Sequence, residues 1–297
     1  MQLLTYLLVY PLLWMVSKLP FSVFYRVSDF MYLLLYRLIG YRKKVVRSNL
    51  RLAFPEKQPE EIKQIEKKFY HHLCDLFMEM IKSLTISKEE MQKRFRFKNI
   101  EVLRAFEEQN KSVVLLCGHY ASYEWLMSLG YQIRHNGYAV YQPINNKYFD
   151  KLVKKIRTKH GAHLISRYET TKTILQKYKA GELALYGLAI DQSPMPSRAR
   201  YWRKFFGIKV PVFVGAEKIA KSLNSPVIFM DIQKIKRGYY ETSFTVISEQ
   251  PKGLPDYEIT DRFTQMLEAQ IRKKPEYYLW THKRFKHKDK APEGIKA

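Results

Sequence analysis

The sequence predicts an α/β protein, a mixed, partly parallel sheet flanked by helices and preceded by an N-terminal hydrophobic helical segment. Three observations carry this. After Asn99, short apolar runs alternate with helical stretches of about 10–15 residues, the pattern of strand–helix–strand units. Ahead of them, apolar residues recur at helical spacing. With 46% hydrophobic and 14% aromatic residues in 297, the chain can bury a substantial core and is far too apolar to be disordered.

The first element is Leu3–Val16, LLTYLLVYPLLWMV, which carries no charge. It falls short of the roughly 20 residues a straight helix needs to cross a bilayer. Met1-Gln2 provides no basic start and no small-residue cleavage site follows, which argues against a removed signal peptide. Val27–Ile39 is a second apolar stretch, interrupted by Asp29 and Arg37. Tyr6, Tyr10, Trp14, Tyr25, Tyr32, Tyr36 and Tyr41 distribute amphipathic rings through both, as suits a membrane interface. Arg42, Lys43, Lys44, Arg47 and Arg51 follow at once, a placement that favours the cytoplasmic side. Residues 1–40 are therefore expected to form a membrane anchor; the competing expectation is a pair of buried core helices with a basic turn.

From Pro59 to Leu84 the apolar positions, among them Ile62, Phe69, Leu73, Leu76 and Met80, mark one face of a helix. His71, His72 and Asp75 lie on it, but adjacent helix residues point about 100° apart, so they are read as ordinary helix residues. Ser87-Lys88-Glu89-Glu90 forms a capping box for another short helix. Strands are then predicted over Ser112–Cys117, Tyr138–Tyr141, Ala162–Ile165, Leu183–Ile190, Pro226–Ile232 and Tyr239–Ser248. Between and after them come helices over Tyr120–Gly130, Lys147–Lys159, Glu169–Tyr178, Gly215–Leu223 and Ile259–Arg272. A main domain is expected over 41–288 and a loose, charged tail over 289–297.

The 52 Lys and Arg against 28 Asp and Glu give a formal charge of +24. Such an excess calls for an anionic partner: membrane headgroups, phosphorylated substrate, acidic protein or nucleic acid. Two cysteines, Cys74 and Cys117, exclude a disulfide scaffold and a four-cysteine zinc site. A polytopic transporter is excluded because no later run is long enough to span. There is no phosphate-cradling glycine loop, no G-x-S-x-G elbow and no recognisable nucleic-acid motif.

The most informative segment is Cys117-Gly118-His119-Tyr120-Ala121-Ser122-Tyr123-Glu124. On a continuous helix His119 and Glu124 would point about 140° apart. With His119 in the turn after a strand and the helix opening behind it, Glu124 can reach back. An oriented His–carboxylate pair at the end of a sheet strand fits a general base, because the carboxylate fixes the tautomer and stabilises the imidazolium. Cys117 is read as a buried structural thiol, since an apolar strand end raises its pKa.

In that context Gly118–Glu124 resembles the His-x4-Asp/Glu motif of glycerolipid-type acyltransferases, and the Glu form resembles the late acyltransferases of lipid A biosynthesis. Val140-Tyr141-Gln142-Pro143, Lys154-Lys155-Ile156-Arg157, Leu188-Ala189-Ile190-Asp191-Gln192 and the ending from Pro275 to Lys286 are similar to that family's segments in the same order. Gln142 departs from the usual Arg, and Gln192–Pro196 departs from the usual loop after Asp191.

The resemblance implies a glycerolipid acyltransferase-like domain over 41–288. It further implies transfer of an acyl chain from acyl carrier protein, or another acyl thioester donor, to a hydroxyl of an anionic glycolipid acceptor such as a lipid A precursor. His119 matches the catalytic base and Glu124 its partner, while Arg157 and Asp191 match substrate-binding positions, Arg157 toward a phosphate and Asp191 toward a basic or sugar group. No metal, cofactor or covalent intermediate is implied. The expected location is the cytoplasmic side of a bacterial inner membrane, with the membrane and not nucleic acid as partner. Two basic segments are candidate docking surfaces: Lys151, Lys154, Lys155, Arg157 and Lys159, and Arg198, Arg200, Arg203, Lys204 and Lys209. The alternatives are a different acceptor, a phospholipid or amino-acid lipid, and a non-catalytic basic module binding membrane or nucleic acid.

Overall fold

The computed structural model describes residues 2–291. Helix α1 (Gln2–Lys18) and helix α2 (Phe21–Tyr32) lead into a π-helical turn, Leu33–Ile39, closed by Gly40 at φ +66°. Helix α3 (Lys43–Ala53) precedes α4 (Pro59–Lys82). A capping box starts α4: the Gln58 amide donates to Glu61 Oε2 at 3.0 Å, and proline takes the first turn. In α5 (Lys88–Arg94), Ser87 Oγ accepts from the Glu90 amide at 3.1 Å, as its sequence suggested.

There follow β1 (Phe95–Phe97), α6 (Glu101–Glu108), β2 (Val113–Cys117), a 3₁₀ segment over Tyr123–Tyr131 and β3 (Asn136–Tyr141). Next come α7 (Lys147–Thr158), β4 (Ala162–Ser166), α8 (Thr170–Lys179) and β5 (Ala184–Ala189). The chain continues through a hairpin, β6 (Tyr201–Phe205) and β7 (Ile208–Val212), to α9 (Gly215–Leu223), β8 (Val227–Lys236), β9 (Tyr239–Ser248) and α10 (Glu258–Lys273).

Seven strands form one sheet in the order β1-β9-β8-β2-β5-β3-β4. The five from β8 to β4 run parallel, β9 runs antiparallel to β8, and β1 is parallel to β9. The mixed, mostly parallel α/β architecture is thus as expected. β2 lies at its centre, and all five of its residues are buried, which is why it reads as an unbroken apolar run.

Several elements differ from expectation. β1 and α6 are short, and the β6–β7 hairpin carries Arg203, Lys204 and Lys209 in its strands, which hides any apolar alternation. The helix expected over Tyr120–Gly130 begins only at Tyr123 and is 3₁₀. Ala121 sits at φ +50°, so helical geometry cannot propagate from Tyr120.

Among the described residues no helix is long and apolar enough to cross a membrane. α1 lies against α4 and α7, with Tyr6 stacked on Tyr10 at 5.2 Å and on Tyr148 at 5.6 Å, while Leu4, Leu7, Leu8 and Leu12 are exposed. α2 is joined to α4 through Ser28 Oγ to Asp75 (2.8 Å), and Tyr32 and Tyr36 enter the same core as the sheet. On α4, Asp75 is neutralised by Lys234 and Arg237, and His72 packs its ring on Tyr277. Of the charged tail expected over 289–297, residues 292–297 lie outside the described residues.

Candidate active site

The site is fixed by strand register. β2 and β5 are parallel neighbours that pair Cys117 with Ala189 at their C-terminal ends. Continuing that register by two residues sets His119 opposite Asp191, and His119 Nδ1 lies 2.7 Å from Asp191 Oδ1. The Asp191 side chain is 2% exposed and that of His119 is 21% exposed, so the carboxylate is shielded while the imidazole keeps one face open. Burial alone would lower the His119 pKa; the charge and hydrogen bond of Asp191, with help from Glu124, outweigh it and raise the value. Burial pushes Asp191 the other way, but His119 holds its pKa below the usual carboxylate value.

The loop carrying His119 is clasped from the C-terminal side. The Leu279 amide donates to the His119 carbonyl at 3.0 Å, and the Ala121 amide donates to the Tyr277 carbonyl at 2.9 Å. Trp280, fully buried, donates Nε1 to the Pro275 carbonyl at 2.7 Å, so Pro275–Trp280 acts as a rigid prop. Tyr278 hydrogen-bonds Asp191, and Tyr123 sets its ring edge-on to His119 at 5.1 Å. Burial pushes the Cys117 thiol beneath up to about 12, which leaves it inert.

Glu124 was expected to orient His119; the structure gives that contact to Asp191 instead. Because the 3₁₀ segment starts late, Glu124 turns to Arg157, whose Nε and Nη2 donate to its two carboxylate oxygens at 2.8 and 2.5 Å. Asp191, expected to face substrate, is committed to His119. Arg157 does line the cavity at the site, although two of its guanidinium nitrogens are engaged by Glu124.

That cavity, about 330 Å³, is lined by His119, Glu124, Arg157 and Gln142 together with apolar groups such as Leu126, Met127, Val153 and Leu164. A smaller apolar pocket, about 30 Å³, shares Leu126, Met127, Ala139 and Gly187 with it and reaches Ile133, Gly137 and Leu185. At the rim Gln142 Oε1 accepts from Arg167 Nη1 at 2.6 Å, so a guanidinium still stands where the sequence departs from the usual Arg. Among the described residues no group of three or more His, Cys, Asp or Glu is placed to hold a metal ion.

Sequence reasoning assigned no role to Glu79, His282 or Arg284. Glu79, fully buried on α4, accepts from Ser122 Oγ (3.1 Å), Tyr25 (3.0 Å) and Tyr240 (2.9 Å). Burial raises its pKa to about 7. It anchors the loop between His119 and Glu124; the signal was a carboxylate on the apolar face of the α4 pattern, which must find partners. His282 Nε2 accepts from the Ser193 amide at 3.2 Å, and buried Arg284 donates to Ser193 Oγ at 3.0 Å, which fixes the chain just after Asp191.

The basic segments are partly neutralised. Lys154 pairs with Asp150, Arg157 with Glu124 and Arg203 with Asp261, and Lys159 caps the carbonyls of Leu84 and Ile86. Lys151, Lys155, Arg198 and Arg200 remain exposed.

Residues 1–287 match the family model described as bacterial lipid A biosynthesis acyltransferase. The chain is 24% identical over 285 residues to the lipid A biosynthesis lauroyltransferase of Escherichia coli K12, covering 95% of this chain and 90% of that one. It is 23% identical over 286 residues to the palmitoleoyltransferase of the same organism, covering 92% and 88%. It is also 25% identical over 286 residues to a lipid A biosynthesis acyltransferase of Haemophilus influenzae, covering 90% and 86%. With a match along nearly its whole length and a His–carboxylate pair at the mouth of an apolar cavity, the chain belongs to the bacterial lipid A biosynthesis acyltransferase family and is an O-acyltransferase.

Proposed function

We propose that the protein transfers a fatty acyl chain from an acyl thioester, carried by acyl carrier protein, to a hydroxyl of a lipid A precursor, with His119 as the general base. The observation that carries this is the 2.7 Å contact between His119 and shielded Asp191 beside an apolar cavity. Asp191 holds the Nδ1 proton, which leaves Nε2 to accept the proton of the acceptor hydroxyl. The hydroxyl oxygen adds to the thioester carbonyl, the C–S bond breaks, and the imidazolium returns its proton to the leaving thiolate. Asp191 offsets the imidazolium charge, and Arg157, held by Glu124, presents positive charge to the developing oxyanion. The acyl chain occupies the cavity between Leu126, Met127 and Leu164.

The place of action is the cytoplasmic face of the inner membrane, reached by an interfacial rather than spanning N-terminus. The exposed leucines of α1 and the basic residues that follow support this. The test is to incubate purified protein with acyl-loaded carrier protein and a lipid A precursor and to weigh the glycolipid. A gain of one ester-linked acyl group is expected; an unchanged glycolipid beside consumed donor would contradict the proposal.

A further inference from the structure

A second cavity, about 430 Å³, lies between α3 and the segment 283–289 and shares no lining residue with the one at His119. Its walls include Lys44, Ser48, Lys283, Lys286 and Lys288. The carboxylate in its lining is Asp289, already 2.8 Å from Lys288. Among the described residues Lys44, Lys283 and Lys286 make no ion pair, and all three are exposed.

The cavity is preformed. Asn49 Nδ2 donates to the carbonyls of Trp280 (2.8 Å) and His282 (2.7 Å), and Arg42 Nη1 donates to the Thr281 carbonyl at 2.9 Å. These bonds staple the helix to the C-terminal segment and hold like charges around one hollow, an arrangement that favours an anion between them. Val45, Leu52 and Phe285 give the same cavity an apolar wall. Apolar side chains and unpaired lysines lining one hollow match the boundary between acyl chains and headgroups.

We infer that this cavity binds the phosphate group of a membrane lipid headgroup. A phosphate suits several lysines acting as point charges. The concave shape and the apolar neighbours favour a lipid over the acidic surface of a soluble protein. The inference stands independently of acyl transfer, and its test does not use turnover.

The experiment is co-sedimentation of full-length protein with phosphatidylcholine vesicles containing phosphatidic acid, or phosphatidylglycerol at matched surface charge. The variant K44A/K283A/K286A is compared with K172A/K179A/K252A, which removes the same charge elsewhere. Far-ultraviolet circular dichroism verifies that both remain folded. Binding to phosphatidic acid vesicles should fall on the order of tenfold or more in the cavity variant and clearly less in the control. Inorganic phosphate at millimolar concentration should fail to displace the protein. Equal losses in both triple variants would reduce the effect to diffuse charge and overturn the inference. Complete displacement by inorganic phosphate would mean a free-phosphate site, and unchanged vesicle binding with weakened carrier-protein binding would mean a protein-docking site; either result also overturns it.

Discussion

Replacing Asp191 by Asn removes the charge facing His119 while retaining an oxygen that can accept from Nδ1. The lost interaction is a shielded, charge-assisted hydrogen bond of 2.7 Å. Such bonds contribute about 1.5–3 kcal/mol, and losing that in the transition state lowers kcat/KM by roughly 10- to 100-fold. The pH profile adds a second signature. His119 must be neutral to accept a proton, so kcat/KM rises with pH through a pKa that Asp191 holds above the ordinary value. Without the carboxylate charge, burial and the Arg157 charge, which both lower the value, dominate, and the rising limb moves to lower pH. The variant is therefore slower on the plateau yet reaches it at lower pH. Glu124→Gln should move the limb less, because Asp191 makes the direct contact. Initial rates of glycolipid acylation, followed by mass spectrometry from about pH 5 to about pH 9, read both effects. A larger shift in E124Q than in D191N would refute the assignment of Asp191 as the orienting carboxylate.

Gly137 borders the inner apolar pocket, and a Cβ built on it meets nothing within 4 Å. Gly137→Val should fill that pocket and move the transferred chains to shorter lengths, read from product masses; an unchanged length distribution would place the chain elsewhere. Glu79 has a folded-state pKa raised to about 7, so its contribution to stability is complete below its ordinary value near 4.5 and is lost as pH rises through 7. The corresponding slope is at most about 1.4 kcal/mol per pH unit. Glu79→Gln should flatten the decline in melting temperature across that interval, and an unaltered slope would show that Glu79 does not titrate there. Arg198→Glu with Arg200→Glu should raise KM for the carrier-protein donor at low salt more than it lowers kcat, since exposed charges act mainly on encounter. Donor titrations with identical KM values at low and high salt would remove this loop from docking.

The sheet was legible because its central strands are short, unbroken apolar runs separated by amphipathic helices. β2 and β5 could be bounded to within a residue or two from Val113–Cys117 and Ala184–Ala189 alone. Which carboxylate meets His119 was not legible by local spacing, since Asp191 lies 72 positions away and is brought in by strand pairing. Glu124 was the local candidate. The left-handed Ala121 and the antiparallel bridge from Tyr120 to Tyr278 break the helix that would have oriented it. The family resemblance pointed to Arg157, Asp191 and the Pro275–Lys286 ending, but what each touches required the fold. The apolar pattern of the N-terminus did not separate exposed from packed positions: leucines of α1, Leu38 and Ile39 are exposed, whereas Phe24, Tyr32 and Tyr36 are buried, and the last two join the core of the sheet.

The central claim is that His119 takes the proton of the acceptor hydroxyl, and single-turnover acylation by His119→Ala tests it most directly. Purified variant and wild type, matched in melting temperature, would be mixed with acyl-loaded carrier protein and a lipid A precursor, and the acylated glycolipid quantified over time. Loss of a general base predicts a rate roughly 10²–10⁴ lower with donor binding retained. A folded His119→Ala protein that acylates the precursor within a few-fold of the wild-type rate would contradict the account.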